Sequence, residues 1–213
     1  MALVLPCRMH NDSLTLRLSE MVRADPDVMH VLMTVRALAL PDWRLVAGGI
    51  YQTVWNVITG RPRGHGIKDW DIAYFDASDL SWEGEDAVIG RVAAAFGNWP
   101  GRVQVRNQAR VHLWFEQRFG APYAPLRSTD ESLQRYASIV HAVGVRLEQG
   151  GGLDIVAPFG LDDLCALRIR PNRVLANAQS HDAKARRCKA LWPEVTAELW
   201  DGTVLTETLV AAR

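Results

Sequence analysis

Asp69 and Asp71 stand one residue apart in the run Lys68-Asp69-Trp70-Asp71-Ile72. In an extended chain alternate side chains leave the same face, so the two carboxylates would sit roughly 6 to 7 Å apart. Like charges at that spacing raise each other's pKa. A hard dication such as Mg²⁺, which keeps several waters and bridges carboxylates to substrate phosphates, would relieve them. The competing reading is a pair of solvated acids at a strand end, common for an isolated Asp-x-Asp. Upstream lies Gly48-Gly49, between a short apolar run and a helical pattern. Glycines there let backbone approach a ligand, and the helix that follows offers free N–H groups to a phosphate. Arg61, Arg63, His65 and Lys68 lie between the glycines and the acids. The ordered set would bring phosphate donors and metal acids together.

The elements that must hold these residues are legible as alternating helical and extended patterns. Asp25-Pro26 opens a helix carrying Val28, Leu32, Val35 and Leu38 and ended by Pro41. A strand over 43–47, the glycine pair and a helix over 50–59 follow. The loop 60–66 leads to a strand over 69–76, then to a helix over 83–98 and a strand over 103–106 whose extended character is expected to continue to 115. Ser128-Thr-Asp-Glu131 has capping-box spacing and predicts a helix through 139. Residues 142–147 and 153–157 read as a hairpin across Gly150-Gly-Gly152, and 161–169 as a short helix. The stretch 180–190, with Lys184, Arg186, Arg187 and Lys189, reads as a basic helix whose face is either solvated or an RNA backbone contact, and Pro193 opens a further segment through 199. These patterns predict an N-terminal helical extension over 1–24, an α/β unit over 25–170 and a helical tail over 171–213.

Composition narrows the classes. The 213 residues carry 24 basic and 24 acidic side chains and are 48 % apolar, which suits a soluble globular chain and gives no general positive field for nucleic acid. No apolar run is long enough to span a membrane. The N-terminus lacks the basic region of a secretory signal. Cys7, Cys165 and Cys188 form no CxxC pair, so reduced thiols in the cytoplasm are expected. His112 reads as a hydrogen-bonded core residue, and Asp162 and Asp163 as structural acids at a helix start. Most of the tryptophans read as core, with Trp55 and Trp70 near enough to the site to contact a base.

The stretch Val46-Ala-Gly-Gly-Ile through Lys68-Asp-Trp-Asp-Ile resembles the nucleotidyltransferase fold shared by polymerase beta and the tRNA CCA-adding enzymes. Gly60-Arg-Pro, Asn107-Gln-Ala-Arg110 and Ala157-Pro-Phe-Gly-Leu-Asp-Asp-Leu164 extend the likeness to the head domain of the CCA-adding enzymes, over about residues 43–172. Tyr51-Gln-Thr-Val-Trp-Asn and Asn107-Gln-Ala-Arg-Val-His are similar to stand-alone bacterial nucleotidyltransferases. The resemblance implies an α/β fold with a mixed sheet flanked by helices and a C-terminal helical appendage. It also implies transfer of an NMP group from an NTP to an acceptor hydroxyl with release of pyrophosphate. Asp69 and Asp71 would hold Mg²⁺, with Mn²⁺ as an alternative, and Gly48, Gly49, Lys68 and Arg110 would bind the nucleotide. A guanidinium at 110 can grip two phosphate oxygens, although an ion pair with Glu116 or another acid would occupy it equally well.

Departures from the family pattern bear on turnover. Gln52-Thr53 stands where CCA-adding enzymes have Arg-Asp, and Gln104-Val105-Arg106 carries no third acid. In two-metal phosphoryl chemistry a third ligand helps activate the acceptor. Asn107 is the first candidate to supply that oxygen, followed by Asp76 and Asp154. Without it the same fold would serve as a nucleotide-binding or partner-binding module. The acceptor is open between small molecule, RNA and protein.

Overall fold

A computed structural model describes residues 7–206, with side chains from residue 12. The expectations that touch residues 1–6, 207–213 and the Cys7 thiol lie outside the described residues. In chain order the elements are α1 (Cys7–Ala24), α2 (Pro26–Ala37), β1 (Arg44–Val46), α3 (Gly48–Thr59), β2 (Trp70–Tyr74), α4 (Trp82–Phe96), β3 (Val103–Asn107), α5 (Phe115–Phe119) and α6 (Thr129–Leu133). They continue with β4 (Gly144–Leu147), β5 (Leu153–Val156), α7 (Asp162–Cys165), β6 (Arg168–Ile169), α8 (Ala178–Leu191), β7 (Thr196–Glu198) and β8 (Val204–Leu205).

Five strands form one mixed sheet in the order β3-β2-β1-β4-β5, parallel between β2 and β3 and antiparallel elsewhere. The fold is the helix-flanked α/β sheet that the sequence predicts. Strand alternation gives the sheet two unlike faces. Leu45, Trp70, Ile72 and Val105 join the main core with Val31 and Leu32 of α2 and Ile50 and Val54 of α3. Val46 and Ala73 sit in a small second cluster with Leu133 and Ala142, and this sparsely filled face carries Asp71.

Local chemistry explains where elements begin. The Asp25 carboxylate accepts from the N–H groups of Asp27 and Val28, and Pro26 needs no hydrogen bond in the first turn. Ser128 accepts from Glu131 N–H, while the Glu131 carboxylate reaches back to Arg127 N–H. The hairpin across the three glycines forms as expected.

Four expectations are corrected. Extended structure stops at Asn107, because its side-chain oxygen accepts from Ala109 N–H and turns the chain into a 3₁₀ helix, Gln108–Leu113. The helix opened by Ser128 ends at Leu133, and a 3₁₀ turn, Ile139–His141, follows. The helix expected over 161–169 ends at Cys165, and Arg168–Ile169 is a strand. Beyond α8 the chain is extended: β7 and β8 join β6, which precedes the helix, in a three-stranded sheet. Val195, Ala197 and Leu199 are buried while Thr196 is exposed, a period of two that belongs to a strand. Ala185, Cys188, Trp192 and Leu205 share one core with Leu18 and Val31.

Candidate functional site

β1 pairs with β2 so that Val46 lies opposite Asp71. The acids therefore sit beside the turn where β1 runs into α3. Ala47, at φ 53° and ψ −120°, makes that turn, and its left-handed φ is unusual for a residue with a Cβ. Ile50 and Tyr51 donate to the Ala47 carbonyl. Gly48 and Gly49 are then the first two residues of α3, whose N–H groups have no partner within a helix. Gly49 is a packing residue: a Cβ there would stand 2.8 Å from the Trp70 ring and 3.2 Å from Leu45. A Cβ on Gly48 would meet only the Gln52 amide, at 3.6 Å. Gly49→Ala is accordingly expected to cost about 1–3 kcal/mol of stability through overpacking, and Gly48→Ala much less. Urea denaturation of the two variants measures the difference.

A two-lobed cleft opens at this junction. One lobe, about 260 Å³, is lined by Gly48, Gln52, Lys68, Asp69 and Arg187. The other, about 310 Å³, is lined by Val46, Ala73, Gln104, Arg106, Tyr136 and Ser180. Ala47, Asp71, His141 and Lys184 belong to both. Acids thus face cations drawn from a distant part of the chain. Burial and then the Asp69 carboxylate push Asp71 up to about 6, while Lys184 and Arg106 offset part of that rise. Burial first, then Lys184, His181 and Arg187, hold His141 well below the usual imidazole range, so the ring is neutral.

Of the residues singled out by sequence, Gly48, Lys68, Asp69 and Asp71 line the first lobe. Asn107 and Arg110 do not join them. Asn107 stands three residues beyond Gln104 on β3, its oxygen accepting from Asp76 and Ala109 N–H and its amide donating to the Asp76 carbonyl. Arg110 is buried in an ion pair with Glu85, donates to the Leu80 carbonyl and lies over the Trp82 ring. Glu85, rather than Glu116, is its acid.

The alternative third acids are also engaged elsewhere. Asp154 pairs with Arg44 and Arg146, and Asp76 caps Ser78. Position 104, opposite Asp71 across the β2–β3 ladder, holds an amide that donates to Asp69 at 2.5 Å. Trp55 and Trp70 are buried in the core and absent from the cleft lining, so neither presents a face to a base. The Nδ1 atom of His112 is buried without a partner among the described residues, and Asp163 pairs with Arg170 and Arg168.

Sequence reasoning missed Lys184 and Arg187 of α8 as site residues. Their spacing of three sets them on one helical face, but nothing local says that this face turns to the acids. It also missed Gln52 and His141, discussed below.

The sequence matches the family described as "Nucleotidyltransferase" over residues 33–197. The chain belongs to the nucleotidyltransferase family. Nucleotidyl transfer is the general chemistry of that family. No curated protein matches. Among solved structures, one determined by NMR and described as revealing a CCA-adding enzyme head domain is similar at 24 % identity and a TM-score of 0.61, over 83 % of this chain and 84 % of that one. At that identity the likeness speaks for the fold, and the fold is that of a nucleotidyltransferase head domain. Among the described residues no helix is long and apolar enough to cross a membrane.

Proposed function

We propose that this nucleotidyltransferase moves an NMP group from an NTP to an acceptor hydroxyl with release of pyrophosphate, in a reaction that depends on Mg²⁺ or Mn²⁺. The observation that carries the reading is the register of Val46 against Asp71, which sets the carboxylate pair beside the first turn of α3. Two carboxylates suit Mg²⁺, which binds through one or two acids and completes its shell with water and substrate phosphates. The elevated Asp71 pKa marks a site where a cation would be favoured. When bound, the ion supplies positive charge to the phosphoryl oxygens.

Every other part of the work falls to the chain. The N–H groups of Gly48 and Gly49, with the positive end of the α3 dipole, receive phosphate oxygens. Lys68, Lys184 and Arg187 neutralise the triphosphate. Held there, the α-phosphorus is open to in-line attack by the acceptor hydroxyl. A new P–O bond forms as the bond to the pyrophosphate oxygen breaks, and the hydroxyl proton passes to water. Positioning and charge neutralisation provide most of the acceleration.

Gln104 supports a second reading. A neutral amide opposite Asp71, already bonded to Asp69, leaves the acceptor side without a third carboxylate. The same cleft would then bind nucleotide without turning it over. Incubation with α-labelled NTPs, Mg²⁺ or Mn²⁺ and separate small-molecule, RNA and protein fractions distinguishes the two. Label moved to one fraction with stoichiometric pyrophosphate is the expected result. Tight NTP binding with neither product assigns the binding module, and no binding of any NTP overturns both readings.

A further inference from the structure

We propose that Gln52 and His141 together read a sugar hydroxyl of the bound nucleotide, so that the cleft selects ribonucleotides over their deoxy counterparts. The proposal rests on the reading that a nucleotide occupies the cleft, and it assigns two residues to which neither the acids nor the glycine turn gives a role.

Both side chains are almost wholly enclosed, with 4 % of Gln52 and 2 % of His141 exposed. Both line the lobe that holds Gly48 and Asp71. The Gln52 amide donates to the Tyr51 hydroxyl at 2.7 Å, and its Oε1 has no partner among the described residues. The His141 ring tilts against the same Tyr51 ring, with centroids 4.8 Å apart, and its Nε2 likewise has no partner among the described residues. Buried polar atoms are nearly always paired, so two unpaired ones on residues that flank a single tyrosine and line one cavity call for a polar guest.

The identity of the guest follows from what each atom lacks. Phosphate oxygens only accept, and Lys68, Lys184 and Arg187 already serve them in this lobe. Gln52 Oε1 needs a donor. The neutral His141 ring offers one N–H and one lone pair. A hydroxyl both donates and accepts, and it satisfies the Gln52 amide in either orientation, which a phosphate does not. The amino group of a base is also a donor, but position argues for the sugar. The Gln52 amide lies 3.6 Å from where a Gly48 Cβ would be, next to the phosphate turn, and the sugar is the part of a nucleotide adjoining its α-phosphate. His141 sits where the two lobes meet.

A site built around a hydrogen bond to a hydroxyl rejects the analogue without it, because the protein atom is then left buried and unpaired. Calorimetric titration of the wild-type protein with each ribonucleoside triphosphate and its 2′-deoxy and 3′-deoxy counterparts, in Mg²⁺, tests this directly. At least one deoxy series is expected to bind about tenfold or more weakly, and which series does so names the hydroxyl. Gln52→Met and His141→Phe keep the bulk around Tyr51 and remove the polar atoms. Each is expected to weaken ribonucleotide binding about tenfold and to leave the deoxy counterpart within about twofold, so that discrimination collapses. Thermal melts report whether the variants are folded, and the wild-type comparison stands without them. Equal affinity of wild type for ribonucleotides and both deoxy series overturns the proposal while the nucleotide cleft stands, as does discrimination between bases alone. Failure of every triphosphate to bind overturns the cleft reading and the proposal with it.

Discussion

Asp71→Asn is expected to lower metal-dependent NTP turnover by about a hundredfold or more and, in the same variant, to raise the melting temperature of the metal-free protein at pH 7.5. The first effect follows, on the proposed function, from removing one of two carboxylates that line the cleft beside the turn into α3. The second follows from the sign of the pKa change. Asp71 rises from 3.8 unfolded to about 6 in the fold. Between those values the native protein keeps a proton that the unfolded chain has lost, so this group weakens the fold as pH climbs through the window, and the penalty is complete above about pH 6. Asparagine carries no charge and escapes it. The variant should therefore melt higher than wild type at pH 7.5 without metal, and the gap should close below pH 4. Because Asp71 is half-buried, solvent screening limits the gain to a few degrees. Mg²⁺ with NTP should reverse the order by stabilising wild type through binding. Scanning fluorimetry at both pH values, with and without ligand, reads all four conditions. A variant that melts lower than wild type at pH 7.5 without metal would refute the account of the acid pair.

Arg110→Met is expected to lower the melting temperature by about 10 °C and to leave NTP affinity within about twofold. Arg110 and Glu85 are both buried, and Glu85 also accepts from Asn107 N–H at 2.8 Å. Removing the arginine leaves a carboxylate enclosed without its cation, a loss of about 3–5 kcal/mol. Adding Glu85→Gln should restore part of that stability, since an amide still accepts from Asn107 N–H and carries no charge. Chemical denaturation measures the first effect and calorimetry with NTP and Mg²⁺ the second. A selective loss of NTP affinity with stability intact would return Arg110 to the nucleotide.

The contrast between Asp71 and Arg110 marks what the sequence made legible. Asp25-Pro26, Ser128-x-x-Glu131 and the triple glycine at 150–152 act within a few residues, and each produced its element. Gly48 is placed by a strand, a turn and a helix in succession, and the Asp-x-Asp pair meets it because β2 returns beside β1 with Val46 opposite Asp71. Arg110 carries the same kind of signal, but its partner Glu85 lies on a different element, α4, and only packing decides the pairing. α8 reads as a basic helix, yet its seat is set by packing on β7 and by the Trp192–Asn56 hydrogen bond to α3, neither of which is legible locally. The alternation of Val195, Ala197 and Leu199 was available in the sequence and outweighed the helical reading of that segment.

Lys184 and Arg187 reach the cleft because Cys188 and Trp192 seat α8 in the core, where Trp192 donates to Asn56 of α3. The charge balance of the cleft therefore hangs on a contact made away from it: loosening the Trp192–Asn56 hydrogen bond would shift Lys184 and Arg187 relative to Asp69 and Asp71 without altering any of the four.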